Sequence, residues 1–287
     1  MIKKLLLTGA NGFIGKYFIP KYDKTFDIRT FSFLKDDCES LYVKDIDVIF
    51  HLSALVHQMG GASADEYERV NVANTLKLAQ KAKESGVGHF IFMSTVKVYG
   101  EESKEMYTES FTCKPQDDYG QSKLKAELEL QKLVSEDFIV SIIRTPIVYG
   151  YGVKANIKNL MNIIRKIPIL PFANIKNQRS FVYVGNLCAM IESVIEAKKG
   201  GVFLACDDTP LSTTQLIELI AQSMEKKTYL IQLPFFSKFL KWLKPSIYQR
   251  LYENLVVDNS QSKKVLEFKN PYSVEEGIRF MVQGGER

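Results

Sequence analysis

Apolar and polar positions change period along this chain, and the changes mark its elements. Ile2 to Leu7 is a short apolar run ending at a glycine turn, as expected of a strand buried on both faces. A helical pattern follows to about Lys21. Strand patterns recur at Asp27 to Phe33, Asp47 to Leu52, His89 to Met93 and Phe138 to Arg144. Helical periodicity occupies Asp65 to Ser85, closed by Gly86, and Tyr119 to Val134. A loop with Gly60 and Gly61 precedes the first of these helices. Strands alternating with helices predict an α/β fold built on a doubly wound parallel sheet.

After Gly150 the alternation loosens. A helix is expected over Ala155 to Lys166, a short strand over Arg179 to Val184, a last strand over Gly201 to Ala205 and a helix over Thr213 to Met224. A soft boundary near 150 divides a first domain, 1–150, from a smaller, mainly substrate-binding second one, 151–287, with segments able to cross between them. Only Leu34 to Ile46 separates the second strand pattern from the third. A helix–strand crossover needs roughly 25 to 35 residues, so this one is expected to be truncated.

Composition narrows the class. At 46% hydrophobic and 25% charged, the 287 residues suit an ordinary globular protein. The net charge of +5 reads as mild and diffuse, and argues against a nucleic-acid partner. Cys38, Cys113, Cys188 and Cys206 form no CxxC pair, and His51, His57 and His89 lack ligand spacing, so no metal site is expected. The apolar start is read as a strand rather than a signal peptide, and no stretch approaches about 20 apolar residues. A cytoplasmic location is the expectation.

Gly9, Gly12 and Gly15 stand between the first strand and its helix, the context in which a glycine motif carries meaning. Gly9 permits a tight turn, Gly12 lets a pyrophosphate approach the backbone, and Gly15 lets helix and strand pack closely. The helix N-terminus offers free N–H groups to phosphates. The first domain is therefore read as dinucleotide-binding, of the Rossmann type. Ser32 stands where an acidic residue would hold the adenosine ribose, with Lys35 nearby and Asp36 and Asp37 beside it. NAD is favoured, with NADP as the alternative.

Tyr119 and Lys123 are four apart on a predicted helix and share a face. A free phenol has a pKa near ~10, so it is a poor base at neutral pH. A nearby ammonium and an oxidised nicotinamide favour the phenolate, and bringing the pKa to about 7 requires about 4 kcal/mol. Thr95 lies just past the carboxyl end of a predicted strand, where ligands gather in such sheets, and Ser94 competes with it.

These segments together resemble the extended short-chain dehydrogenase/reductase family, in its nucleotide-sugar epimerase/dehydratase branch. The likeness rests on Thr8 to Gly15, His51 to Ala54, Asn71 to Thr75, Ser94 to Gly100, Tyr119 to Lys123, Arg144 to Gly150 and Arg179 to Val184. The resemblance implies Tyr119 as acid/base, Lys123 on the nicotinamide ribose and Thr95 on the sugar oxygen. It implies Gly9, Asn11, Gly12, Phe13, Ile14, Gly15, Ser32, Leu52, Ser53 and Ala54 at the dinucleotide. It places Lys97, Asn156 and Arg179, with Thr95 and Tyr119, at the substrate, with Lys154 adding charge. Dehydratases of the branch carry an Asp-Glu pair after the threonine; Val96 and Lys97 stand here, which removes elimination as the leading reaction.

Phe235 to Lys244 reads as an amphipathic helix, with the single Trp, Trp242, on its apolar side and Lys238, Lys241 and Lys244 on the other. It either covers the second domain or lies on the inner face of a membrane. The expected activity is NAD-dependent 4-epimerisation of a UDP-linked or lipid-diphosphate-linked hexose, in surface polysaccharide synthesis. The alternative is an NADPH-dependent 4-keto-sugar reductase. The resemblance also implies a homodimer.

Overall fold

The computed structural model describes residues 2–56 and 62–285. His57, Gly60 and Gly61, and the glycine loop read there, lie outside the described residues. The N-terminal half alternates as expected: β1 (Lys4–Thr8), α1 (Phe13–Tyr22), β2 (Asp27–Phe31) and β3 (Val48–His51). Then come α2 (Ala64–Tyr67), a π-helical segment (Glu68–Ala73), α3 (Asn74–Glu84), β4 (His89–Thr95), α4 (Asp118–Lys132) and β5 (Ile139–Thr145). The single helix expected over 65–85 is thus interrupted. The wide turn buries Asn71 and Val72 and sends Asn71 toward Leu55. Such segments tend to mark functional sites.

The main sheet has six parallel strands in the order β2-β1-β3-β4-β5-β9, where β9 is Gly201–Leu204. No helix or strand lies between Phe31 and Val48, so the crossover is truncated as the short connection implied. Alternation along each strand divides two cores. Leu5, Leu7, Val48, Phe50, Ile91, Met93 and Ile143 face α1 and the later helices. Leu6, Ile49, Phe90, Phe92, Val140 and Ile142 face α3 and α4 through Leu78, Ala79, Ala82, Ala126 and Leu130.

Beyond Thr145 the elements are β6 (Ile147–Tyr149), α5 (Ala155–Lys166), β7 (Ile169–Leu170), β8 (Phe181–Tyr183) and α6 (Val184–Ala197), then β9. They continue as α7 (Thr213–Ser223), β10 (Tyr229–Leu230), α8 (Phe236–Leu243), α9 (Pro245–Tyr252), α10 (Ser260–Leu266) and α11 (Val274–Gln283). Chain beyond residue 150 returns to the sheet: β9 pairs with β5, and α6 packs on α1. Two short parallel pairs, β6 with β8 and β7 with β10, form the rest. No helix among the described residues is long and apolar enough to cross a membrane.

Candidate active site

At the end of β1 the chain turns sharply, closed by the Gly12 N–H on the Gly9 carbonyl at 2.9 Å. Gly9 has φ +73°, and a Cβ there would stand 2.9 Å from the Ser53 nitrogen. A Cβ on Gly15 would stand 2.7 Å from the Ala10 carbonyl oxygen. Both glycines are therefore required by close backbone approach. α1 begins at Gly12 without a side-chain cap and with no acidic residue in its first turn. Its first N–H groups and its dipole are thus directed at whatever occupies the turn, which fits a pyrophosphate.

A buried polar chain holds the facing loop. The Ser53 N–H donates to Thr8 Oγ1 at 3.1 Å, and Thr8 meets His51 Nδ1 at 2.7 Å. His51 Nε2 meets Thr75 Oγ1 at 2.9 Å, and Thr75 donates to the Asn71 carbonyl at 2.8 Å. Since Thr75 spends its proton on Asn71, Nε2 carries the imidazole hydrogen and Nδ1 accepts from Thr8. Burial, and then Lys123, push the His51 pKa down to about 3, which keeps the ring neutral. Asn71 Oδ1 accepts from the Leu55 N–H, and Nδ2 donates to the Leu55 carbonyl and to Ser122. The stretch Leu52, Ser53 and Ala54 is clamped by this network beside Gly9. Asn11, Phe13 and Ile14 line the same turn, with Phe13 and Ile14 partly buried against the core.

Ser32 lies just past β2 and starts a tight turn in which the Asp36 carboxylate accepts from the Ser32 N–H at 3.1 Å. An acid therefore folds back onto the position where the sequence lacks one.

The buried face of α4 carries Tyr119, Lys123 and Glu127 at successive turns. Lys123 is 2% exposed, its Nζ donates to the Met93 carbonyl at 2.8 Å and sits 4.3 Å from the Phe92 ring centroid. Burial pushes its pKa down to about 7, with Glu127 opposing. Glu127 is 0% exposed and is gripped by Arg144 of β5 through Nε, at 3.1 Å to each carboxylate oxygen, and through Nη2. Arg144 Nη1 also donates to the Tyr99 hydroxyl at 2.7 Å. Sequence reasoning missed Glu127, although it continues the four-residue step from Tyr119 and Lys123.

Ser94 donates to Glu127 and is absorbed into that network. Thr95 is the last residue of β4, not beyond it, and its Oγ1 accepts from the Lys97 N–H at 3.3 Å, starting the 3-10 turn Val96–Val98. Tyr119 is half-buried, its ring 6.2 Å from that of Tyr67. Its pKa is raised, by burial first and then by Asp117 and Tyr67. Within the chain's own groups burial and Asp117 prevail, so the acid shift expected of the phenol depends on the nicotinamide charge named with the ammonium. The Lys123 amine is tied to the Met93 carbonyl and carries only a partial charge at neutral pH, whereas Asp117 supplies a negative one.

The remaining substrate candidates are spread out. The Lys97 ammonium bridges Glu101 and Asp117. Asn156 is exposed in the first turn of α5, next to Lys154 at its N-cap. Arg179 is 8% exposed, and its Nη1 donates to the Gln249 carbonyl at 3.4 Å and the Glu253 carbonyl at 3.1 Å. Burial pushes its pKa down to about 10, with Arg250 acting in the same sense and Glu101 opposing. Its bonded partners are carbonyls rather than carboxylates, so a buried cation is left needing an anion. Beside it a cavity of about 410 Å³ opens among Pro171, Asn174, Asn177, Leu233, Tyr252 and Asn254. No His, Cys, Asp or Glu cluster among the described residues is arranged to hold a metal ion.

Residues 5–206 match the family model described as "NAD dependent epimerase/dehydratase family". A UDP-glucose 4-epimerase of Vibrio cholerae is 35% identical, with 99% of this chain and 95% of that protein covered. An N-acetyl-alpha-D-glucosaminyl-diphospho-ditrans,octacis-undecaprenol 4-epimerase of Escherichia coli O157:H7 is 27% identical, covering 82% of this chain and 76% of that protein. Among solved structures, a UDP-glucuronic acid 4-epimerase from Bacillus cereus in complex with NAD superposes with a TM-score of 0.77 at 20% identity, covering 98% of this chain and 97% of that one.

Proposed function

Since the chain belongs to the NAD-dependent epimerase/dehydratase family, we propose that it inverts C4 of a UDP-linked hexose, with Tyr119, Lys123 and Thr95 as its working groups. The observation that carries the reading is the α4 face. Tyr119 and Lys123 stand one turn apart, with Lys123 fastened to the end of the strand that terminates in Thr95.

The glycine turn and the clamped 52–54 loop would hold NAD, which supplies the hydride acceptor and a positive ring charge. Tyr119 acts as the phenolate, its own proton having passed to solvent: it receives the proton of the sugar 4-hydroxyl and returns it to the same oxygen once C4 is reduced from its other face. Its raised pKa keeps it protonated until a cation is brought near, which prevents idle proton loss. Lys123 binds the ribose and its partial charge biases the phenol. The Thr95 hydroxyl orients the sugar oxygen. Arg179 and Asn156 take the diphosphate, and the neighbouring cavity takes the nucleotide end.

Epimerisation is favoured over elimination because Val96 is buried at 3% exposure and Lys97 is held by two carboxylates. That pair of positions therefore has no free acid and no base. A homodimer through the helices of this half is part of the proposal; Leu128 on α4 is 51% exposed. A lipid-diphosphate carrier in place of UDP is the second reading. It is favoured by the exposed apolar face of α8, whose hairpin supplies the Arg179 carbonyl contacts. Either carrier suits surface polysaccharide synthesis.

Mass spectrometry of nucleotide released from the purified protein tests the proposal. NAD should be retained, and UDP-glucose should convert to UDP-galactose with no cofactor added. Net NADPH consumption on a 4-keto sugar would instead establish a reductase.

A further inference from the structure

The excess positive charge of the molecule is not diffuse. From Lys226 to Tyr252 the chain holds six basic residues and no acidic one, against a net charge of +5 for the whole sequence. The rest of the chain is therefore close to neutral, and the charge is gathered on the segment that contains α8 and α9.

The same segment exposes the largest apolar side chains of the molecule. The apolar face expected of α8 is divided in two. Phe236 turns inward, its ring 6.0 Å from Phe172, and Leu240 is half-buried beside it. Phe235, Phe239, Trp242 and Leu243 point outward, at 76%, 54%, 79% and 51% exposure. Ile247 of α9 extends the patch at 41%. Lys238 and Lys241 border it with their ammonium groups near aromatic rings, Lys238 5.9 Å from Phe235 and Lys241 5.0 Å from Tyr248. Contiguous exposed apolar surface with a polar rim marks an interaction site.

We propose that the α8–α9 hairpin docks the protein on an anionic lipid bilayer. Phe239 and Trp242 enter the headgroup region, and Lys238, Lys241 and Lys244 meet lipid phosphates. A short helix with aromatic side chains on one side and lysines along its edge has the form of an interfacial anchor. Trp is the side chain best suited to that depth, being apolar in body with one N–H to place in the wet zone. A second copy of the chain fits worse. A two-fold contact would set this basic segment against itself, and like charges brought together oppose association. The hairpin also supplies the carbonyls that hold Arg179, so docking brings that end of the cleft toward the lipid phosphates. This inference concerns where the protein sits and does not rest on the reaction proposed above.

Trp242 is the only tryptophan, so its emission reports on the patch directly. The full chain is mixed with vesicles of phosphatidylcholine alone or of phosphatidylcholine with phosphatidylglycerol. The emission should move to the blue and the protein should sediment only with the anionic vesicles, less so as salt is raised. Lys238→Gln with Lys241→Gln should lower partitioning about thirty-fold. Phe239→Ser should abolish it while the melting temperature stays that of the parent, which separates lost docking from lost folding. Absence of binding to anionic vesicles, equal binding to neutral ones, or a Phe239-dependent dimer without lipid binding would each overturn the proposal.

Discussion

The face of α4 and the α8–α9 hairpin hold charge in opposite ways. Under α4 the charged and polar groups are spent on one another. Glu127 is taken by Arg144 and Ser94, and Asn71 by Leu55 and Ser122. At the hairpin Arg179 rests on carbonyl oxygens, the lysines lie along aromatic rings and Trp242 faces outward. A region that closes its bonds internally fixes geometry to fractions of an ångström, as proton transfer demands. A region with unspent charge and apolar surface takes its partners from outside.

The contrast can be broken at several points. The largest effect is expected from Tyr119→Phe, which should lower kcat by roughly 10²- to 10⁴-fold with the melting temperature unchanged. A matching loss of stability would show that the hydroxyl is structural. Next, Glu127→Gln should destabilise the fold by about 3–5 kcal/mol in urea unfolding, because it leaves Arg144 buried without its counter-charge.

Lys123 gives a pH signature of the closed region. Its folded pKa is lowered to about 7 from 10.5, so between those values the unfolded chain binds the extra proton. Stability should therefore rise with pH from about 7 toward 10, by on the order of 1.4 kcal/mol per pH unit. Lys123→Met should flatten that rise, abolish turnover and leave a fold at least as stable at neutral pH. A slope that survives the substitution would assign it elsewhere. The smallest effect on the fold belongs to the open region. Arg179→Gln should raise KM by about 10- to 100-fold with kcat and melting temperature nearly unchanged. A fall in kcat with constant KM would remove Arg179 from ground-state binding.

Local features were legible in the sequence, and meetings between distant segments were not. Gly9 and Gly15 were readable because the constraint is one of backbone and immediate neighbours. Leu34 to Ile46 is too short for a crossover by length alone. The α5 bounds, Ala155–Lys166, followed from periodicity. Glu127 was missed because its meaning comes from Arg144 on another strand. The raised Tyr119 pKa depends on burial, then on Asp117 at the α4 N-cap and on Tyr67, brought in by α2. Periodicity gave α8 an apolar arc, but not which part of it the body covers. Net charge was legible as a sum; its concentration on one hairpin counted only once that hairpin was seen to be exposed.

The truncated crossover has a consequence for how the protein survives in concentrated solution. Without a further strand, β2 ends the sheet, and a terminal strand is a template on which another chain can grow a fibril. β2 is short and exposes Asp27, Arg29 and Thr30, and Arg29 is latched to Asp45 from the shortened connection itself. The residues left by the shortening thus act as gatekeepers against aggregation. Neutralising Asp27 and Arg29 would remove that guard while leaving Thr95, Tyr119 and Lys123, carried by β4 and α4, in place.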